Sequence, residues 1–267
     1  NKYLNRFTFY HEKFSNLEKV VKNDEKIDAI IFDLGVSTFQ LSDMSRGFSF
    51  KSKEKIDMNM GLSSISAENV LNNLNERSLK LIIKIFGDES EANKIVKNII
   101  KARKIKRITK VSELVEIIEK SKKKNYKKKI NVCTKTFQAL RIFVNQETTE
   151  LIKGIIKATK IIKAGGKIIV VSFHSIEDKI IKFYFTNHSQ NKSKSSRYFP
   201  EEEKNDIILF KNYKNRLLTP SKEEIELNPP SRSAKLRFAI RNDKDFIHSE
   251  EIKIKFKKYL DLESQNA

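Results

Sequence analysis

The sequence predicts an α/β fold, a sheet of buried parallel strands interrupted by a helical insertion. Three observations predict it. Ala29-Ile30-Ile31-Phe32 is an unbroken apolar run that ends abruptly in Asp33, with Gly35 and Ser37 behind it. Lys167–Val171 repeats the pattern and ends in Ser172-Phe173-His174-Ser175. Between them, residues 64–136 hold a single glycine, Gly87, and no proline, with apolar residues at three- and four-residue spacings. Short apolar runs ending in polar residues read as buried parallel strands, and ligands bind outside the carboxyl ends of such strands. Asp33 and the pair Ser172/His174 occupy equivalent strand ends and are expected to face one crevice. A carboxylate there is costly to bury without a partner, so it needs a task.

Each element follows from local pattern. Arg6–His11 alternates (Phe7 and Phe9 against Thr8 and Tyr10) and reads as a short strand. Ser15–Asn23 reads as a short helix, with Ser15 and Glu18 as a capping box. Ile27–Phe32 is a buried strand. Residues 47–61 are polar, lack periodicity and read as a long loop. Ser66–Leu74, Ser78–Phe86, Glu89–Arg103 and Val111–Lys120 are the helices of the insertion. A helix over Thr136–Lys163 is expected to stop at Gly165-Gly166. Lys167–Val171 is the second buried strand, and a helix opens near Ser175, with Ser175 and Asp178 as its capping box. Residues 186–230 are polar and irregular, and all four prolines (Pro200, Pro220, Pro229, Pro230) lie at or beyond position 200. A last strand follows within 230–241. The expected domains are an α/β body from residues 1–50 and 137–267 and a helical insertion over 51–136.

Composition narrows the function. The chain has 267 residues, 54 Lys and Arg against 34 Asp and Glu, and a net charge of +20. Such charge fits a polyanion partner, most simply nucleic acid held by its phosphates. A bias toward Lys, Ile and Asn supplies the same charge as a solvated surface. Two basic runs stand out, at 101–110 and 120–129. Export and membrane signals are not expected: no apolar run approaches the roughly 18 residues of a span. The single cysteine, Cys133, allows no internal disulfide and fits a reducing, cytoplasmic setting.

Several chemistries are disfavoured. A haloacid-type phosphatase needs an acid where Gly35 stands. No phosphate-binding Gly-x-x-x-x-Gly-Lys loop and no Gly-x-Ser-x-Gly nucleophile elbow occurs. The four histidines (His11, His174, His188, His248) are scattered, so no metal is expected. What remains is group transfer with little covalent demand on the protein, such as methyl transfer to an amine. Carbon-5 methylation of a pyrimidine would want a cysteine nucleophile, and Cys133 lies in the basic segment before a helix.

The motifs then carry a resemblance. Asp33-Leu-Gly-Val-Ser-Thr-Phe-Gln-Leu41, Arg46-Gly-Phe-Ser-Phe50, Ile56-Asp-Met-Asn-Met60, Thr136-Phe-Gln-Ala-Leu-Arg-Ile142 with Val144-Asn145, Gly165-Gly166 leading to Val171-Ser-Phe-His-Ser-Ile-Glu-Asp178, and Ser231-Arg-Ser-Ala-Lys-Leu-Arg237 resemble the ribosomal RNA small subunit methyltransferase H family. The resemblance implies a class I, Rossmann-like methyltransferase sheet with an inserted helical substrate-recognition domain. It implies methylation of the N4 amine of a cytidine near the decoding site of 16S rRNA, within the small ribosomal subunit, with S-adenosyl-L-methionine as cofactor. By the same resemblance Phe14, Asp33 and Gln40 are cofactor contacts. Asp33 and, opposite it at the second strand end, Ser172 and His174 are the candidate catalytic residues.

One departure shapes the expectation. The family's first strand, its Gly-Gly-His cofactor loop and the Asp after its second strand have no counterpart in these 267 residues. The chain is therefore expected to be N-terminally truncated, with an inactive RNA-binding remnant as the alternative function. An amino-methyltransferase acting on DNA is disfavoured, because that type carries Pro-Pro-aromatic after the acid and Leu34-Gly35-Val36 stands here. Arg232, Lys235 and Arg237 are expected to touch RNA or support the site. Phe48 and Phe50 are candidates to stack on a flipped cytosine.

Overall fold

The computed structural model describes residues 6–21, 27–122, 131–189, 207–211 and 213–266. In chain order the elements are α1 (Leu17–Val20), β1 (Ile27–Asp33), α2 (Thr38–Ser42), α3 (Ala67–Asn73), α4 (Glu76–Gly87), α5 (Ala92–Ile105), α6 (Val111–Ser121), α7 (Thr134–Asn145), α8 (Glu147–Ile161), β2 (Ile162–Ser172), α9 (Ser175–Asn187), α10 (Lys222–Leu227), β3 (Lys235–Ile240), α11 (Glu251–Lys255) and α12 (Lys257–Glu263). The chain forms two compact units: residues 1–35 with 150–256, and residues 36–149 with 257–267. The second unit extends beyond 51–136 on both sides and takes in the C-terminal helix.

The first unit holds a three-stranded sheet in the order β1-β2-β3. β1 and β2 are parallel, with Asp33 beside Val171, while β3 runs antiparallel to β2, with Lys235 beside Ser172. Alternation along the strands gives the sheet two unlike faces. The cross-strand row Phe32, Val170 and Arg237 is buried. Here Phe14 meets Phe32 edge to face at 5.3 Å, and α8 comes close through Gly154. A Cβ at Gly154 would stand 2.8 Å from Phe14 Cβ, so only glycine allows that approach. The neighbouring row Ile31, Ile169 and Phe238 is far more open, with Ile31 66% exposed. β1 is thus not the fully buried strand expected. Among the described residues it is an edge strand, and only Phe32 of its seven residues is fully buried.

Other expectations also need correction. Residues 7–13 have no regular structure; Phe7 and Phe9 are exposed, so the strand expected at Arg6–His11 does not form. Ser15 is not an N-cap. Its backbone N–H and hydroxyl both donate to the Glu150 carboxylate, while Glu18 pairs with Lys157 and Lys160. The helix expected over Thr136–Lys163 is two helices. The chain breaks between α7 and α8 at Gln146, which adopts a left-handed conformation (φ 50°). Gly165-Gly166 does not stop a helix but sits inside β2, where the register with β1 slips. There Gly165 donates to the Arg241 carbonyl and Arg241 donates back to Gly166. Within 186–230, hidden among polar residues, Leu209, Phe210 and Tyr213 join Tyr184 and Phe185 in the core.

The second unit is helical, as the periodicity indicates, and α3 to α6 match the expected helices within three residues at each end. Ser66 caps α3 with Asn69, Asn75 caps α4, and a cluster including Leu71, Leu79, Ile82, Ile83, Ile95 and Ile99 is fully buried. The 47–61 loop is irregular but firmly built. Ile56 and Met58 are fully buried, and the Asn145 amide both donates to Met58 O and accepts from Met60 N, each at 2.8 Å.

α12 closes this unit through one buried carboxylate. Glu263 accepts from the Thr148 and Thr149 backbone amides at 3.0 and 2.7 Å and from the Thr149 hydroxyl at 2.5 Å. It thereby caps the first turn of α8. Burial is the largest influence on it and outweighs these donors, pushing its pKa up from 4.5 to about 7. A carboxyl whose folded pKa is raised stabilises the fold most below its unfolded value, and that contribution is lost as pH rises through the folded value. Urea unfolding should therefore show stability falling between about pH 4.5 and pH 7. Glu263→Gln should flatten this slope, removing on the order of 1–3 kcal/mol of pH dependence. Equal slopes for the two proteins would show that Glu263 is ionised throughout.

Candidate active site at the strand ends

In the first unit, parallel pairing brings the ends of β1 and β2 side by side. The ladder continues one residue past Asp33, where Leu34 N donates to Val171 O at 3.0 Å. Gly35 then turns the chain with φ +88°, a conformation that a side chain rarely adopts. Asp33 itself is exposed. Two residues beyond Val171, Phe173 Cδ2 is 3.8 Å from where a Gly35 Cβ would be. Asp33, Gly35 and Phe173 thus share one end of the sheet.

The turn after β2 is held by a buried carboxylate. Glu177 Oε2 accepts from the backbone amides of Phe173 (2.9 Å) and His174 (3.3 Å). His174 Nε2 is 3.1 Å from Glu177 Oε1, an ion-pair distance without the alignment of a hydrogen bond. His174 is the N-cap of α9 and Glu177 its third residue, so the capping pair is His174/Glu177 and not Ser175/Asp178. The spacing in the sequence is right, and the frame is displaced by one. Asp178 does a different job. It accepts from Arg237 Nε at 2.7 Å and pairs with Lys235 at 3.4 Å. Burial raises its pKa, but Arg237 and Lys235 outweigh burial and hold it below the usual carboxylate value. Arg237, in turn, donates to Tyr213 Oη (3.1 Å) and Asn215 Oδ1 (2.9 Å).

The candidate residues therefore divide by environment. Ser172 is buried and its hydroxyl donates to Lys235 O at 3.4 Å. The His174 ring is nearly enclosed, with a side chain 9% exposed. Phe14 is 40% exposed, one edge in the core against Phe32 and the rest in solvent. Gln40 belongs to the other unit. Its Oε1 accepts from Ser37 N (2.9 Å), while Ser37 Oγ accepts from Gln40 N (3.1 Å). This capping box of α2 spends the amide oxygen and leaves Nε2 as the end that Gln40 presents. Arg232 is exposed, Lys235 is partly exposed and Arg237 is buried, so Arg237 supports the site from within.

Sequence reasoning missed Glu177 and Phe173, although both lie inside the Ser172–Asp178 motif. The available signal was Glu177 three residues after His174. The two phenylalanines singled out for stacking are otherwise engaged. Phe48 is buried, with Arg46 over its ring at 5.7 Å, and Phe50 packs edge to face on Phe137. Cys133 is buried, and burial pushes its thiol up to about 11, which suits a core residue and not a nucleophile.

The basic runs are also partly committed. Arg103 donates to the Leu71 and Leu74 carbonyls at the end of α3. Lys106 pairs with Glu113 and Arg107 with Glu68. Lys101, Lys104 and Lys110 are exposed. In the second run, Lys122 joins buried Glu89 and the Val132 carbonyl, and residues 123–129 lie outside the described residues.

A family model decides the relationship: the MraW methylase family matches residues 1–242. The chain belongs to the MraW methylase family. Similar proteins carry the name ribosomal RNA small subunit methyltransferase H. That of Bartonella bacilliformis is 38% identical over 250 residues, covering 94% of this chain and 74% of the relative. That of Orientia tsutsugamushi (strain Ikeda) is 39% identical over 245 residues, covering 90% and 78%. That of Ehrlichia ruminantium is 38% identical, covering 90% and 79%. A methyltransferase sheet accounts for the mixed α/β unit, and membership implies a methyl donor.

The Asp178–Arg237 pair joins α9 to β3 behind this MraW strand-end turn. Removing one partner strands the other charge in a buried setting. Asp178→Ala should lower stability in urea by about 3 kcal/mol, and Asp178→Asn by less. A loss under about 0.5 kcal/mol for the alanine variant would mean that Arg237 finds water or another acceptor.

Proposed function

We propose that the protein methylates the N4 amine of a cytidine in 16S rRNA, with S-adenosyl-L-methionine as methyl donor. The observation that carries this reading is the exposed Asp33 carboxylate at a parallel strand end, inside a family of methylases. The relatives' name supplies small-subunit rRNA as the substrate class. A parallel strand pair followed by an antiparallel last strand supports a class I, Rossmann-like sheet.

Three residues offer groups that suit part of the donor. Asp33 offers an acceptor for hydroxyl or amine protons, Gln40 offers an amide N–H, and Phe14 offers the exposed part of an aromatic ring. S-adenosyl-L-methionine supplies a methyl carbon that is already electrophilic. The difficulty lies with the acceptor, because the lone pair of a cytosine amine is delocalised into the ring. Asp33 accepts an amine N–H, concentrates the lone pair on nitrogen and stabilises the positive charge that gathers there as the N–C bond forms. The amine proton then leaves to water, so no dedicated base is required. Ser172 and His174 are assigned to the acceptor side of the site, where they shape the turn that borders it.

The helical unit is assigned to rRNA recognition, with Lys101, Lys104 and Lys110 available to phosphates. Arg232 and Lys235 serve the same end beside the sheet. The reading places the protein in the cytoplasm, where its substrate is made. Among the described residues, no helix is long and apolar enough to cross a membrane.

The test is methyl incorporation from labelled S-adenosyl-L-methionine into small-subunit rRNA, followed by nucleoside analysis. N4-methylcytidine is the expected product, and Asp33→Ala should lower the rate by about 100-fold or more. Methyl groups found only on carbon or ribose, or an undiminished Asp33→Ala rate, would overturn the reading.

A further inference from the structure

Phe173 combines a rigid backbone with an exposed ring. Its N–H is tied to Glu177, itself only 4% exposed, while Phe173 is 37% exposed. Further along α9, Tyr184 and Phe185 are fully buried and Phe183 is half-buried against Phe256. Leaving an apolar ring in water forgoes the free energy of burial, and fixing the backbone beneath it removes the chance to tuck it away. The position is specific. The ring borders Gly35, and the Asp33 carboxylate is two residues back along that chain. Lys235, in register with Ser172, lies on the other face of the sheet and pairs with Asp178. An aromatic face and an acceptor for amine protons thus gather at one end of the sheet. Those are groups that bind an exposed base: stacking for its ring and a hydrogen bond for its amine.

We propose that Phe173 is the surface on which the acceptor base stacks, with Glu177 as the positioning residue that fixes the ring beside Asp33. The inference rests on the methylation reading for the identity of the base, and it adds how that base is gripped. Stacking is blind to base identity, since every base has a π-face, so Phe173 supplies affinity and Asp33 selects the amine. Phe173→Tyr keeps the ring, whereas Phe173→Leu keeps apolar bulk without a π-face. Because the side chain is partly exposed, neither variant opens a cavity in the core.

Two readouts test the proposal on the full chain. The first is fluorescence quenching of a single-stranded RNA with pyrrolocytosine as its one cytosine, which reports stacking without any methyl transfer. The second is KM and kcat for methylation of small-subunit rRNA. Wild type and Phe173→Tyr should quench the probe, and Phe173→Leu should not. Phe173→Leu should raise KM about 10-fold, with a smaller change in kcat. Glu177→Gln, which keeps an acceptor oxygen for the turn, should stay close to wild type in quenching, and Glu177→Ala should lose it. Wild-type quenching or KM in Phe173→Leu, or no quenching by wild type, overturns the proposal. Quenching that depends on Phe173 in a protein that transfers no methyl to rRNA overturns the methylation reading and leaves the stacking role standing.

Discussion

The candidate site depends on the parallel register between β1 and β2. Side-by-side pairing of Asp33 with Val171 delivers two distant segments of chain to one end of the sheet. The hydrogen bond from Leu34 to Val171 carries the ladder past the last strand residue, so Asp33 is held by backbone on both sides. A slip of one residue would turn Asp33 to the opposite face, into the row occupied by Phe32. The buried row of Phe32, Val170 and Arg237 prevents that slip, because only one register keeps those side chains inside. Packing on one face thus fixes chemistry at the strand ends.

Arg237 shows how the packed face tolerates a charge. A guanidinium among buried residues is costly unless its donors are filled. Asp178 fills them from α9, and Tyr213 and Asn215 fill them from a second segment of the chain. The network ties the first turn of α9 to the sheet, one residue from the Glu177 carboxylate that secures the strand-end turn. Two adjacent acids therefore divide the work. Asp178 anchors the helix to the sheet, and Glu177 anchors the turn to the helix.

How much of this was legible in the sequence depended on the range of the forces involved. The helices from α3 to α6 were legible because periodicity and N-caps such as Ser66 and Asn75 are local. The position of Asp33, Ser172 and His174 at strand ends was legible because a strand end has a local signature. The split between α7 and α8 was not legible: Gln146 takes a left-handed conformation without being glycine. Gly165-Gly166 imitated a helix stop while serving a slipped strand register, which only the partner strand reveals. Ser15 looked like a cap, yet its donors go to Glu150, 135 residues away. The exposure of Ile31 depends on which strands and helices cover it, and no local pattern carries that information.

The basic run at 101–110 shows why a count of charges is a poor guide to grip. It holds six cationic side chains, and Arg103, Lys106 and Arg107 are occupied by carbonyls and carboxylates of their own unit. A cation already neutralised at home displaces few counterions when it meets a phosphate. The run therefore contributes to salt-sensitive attraction with two of its six charges already paired, while Arg103 keeps its charge but is turned to the end of α3.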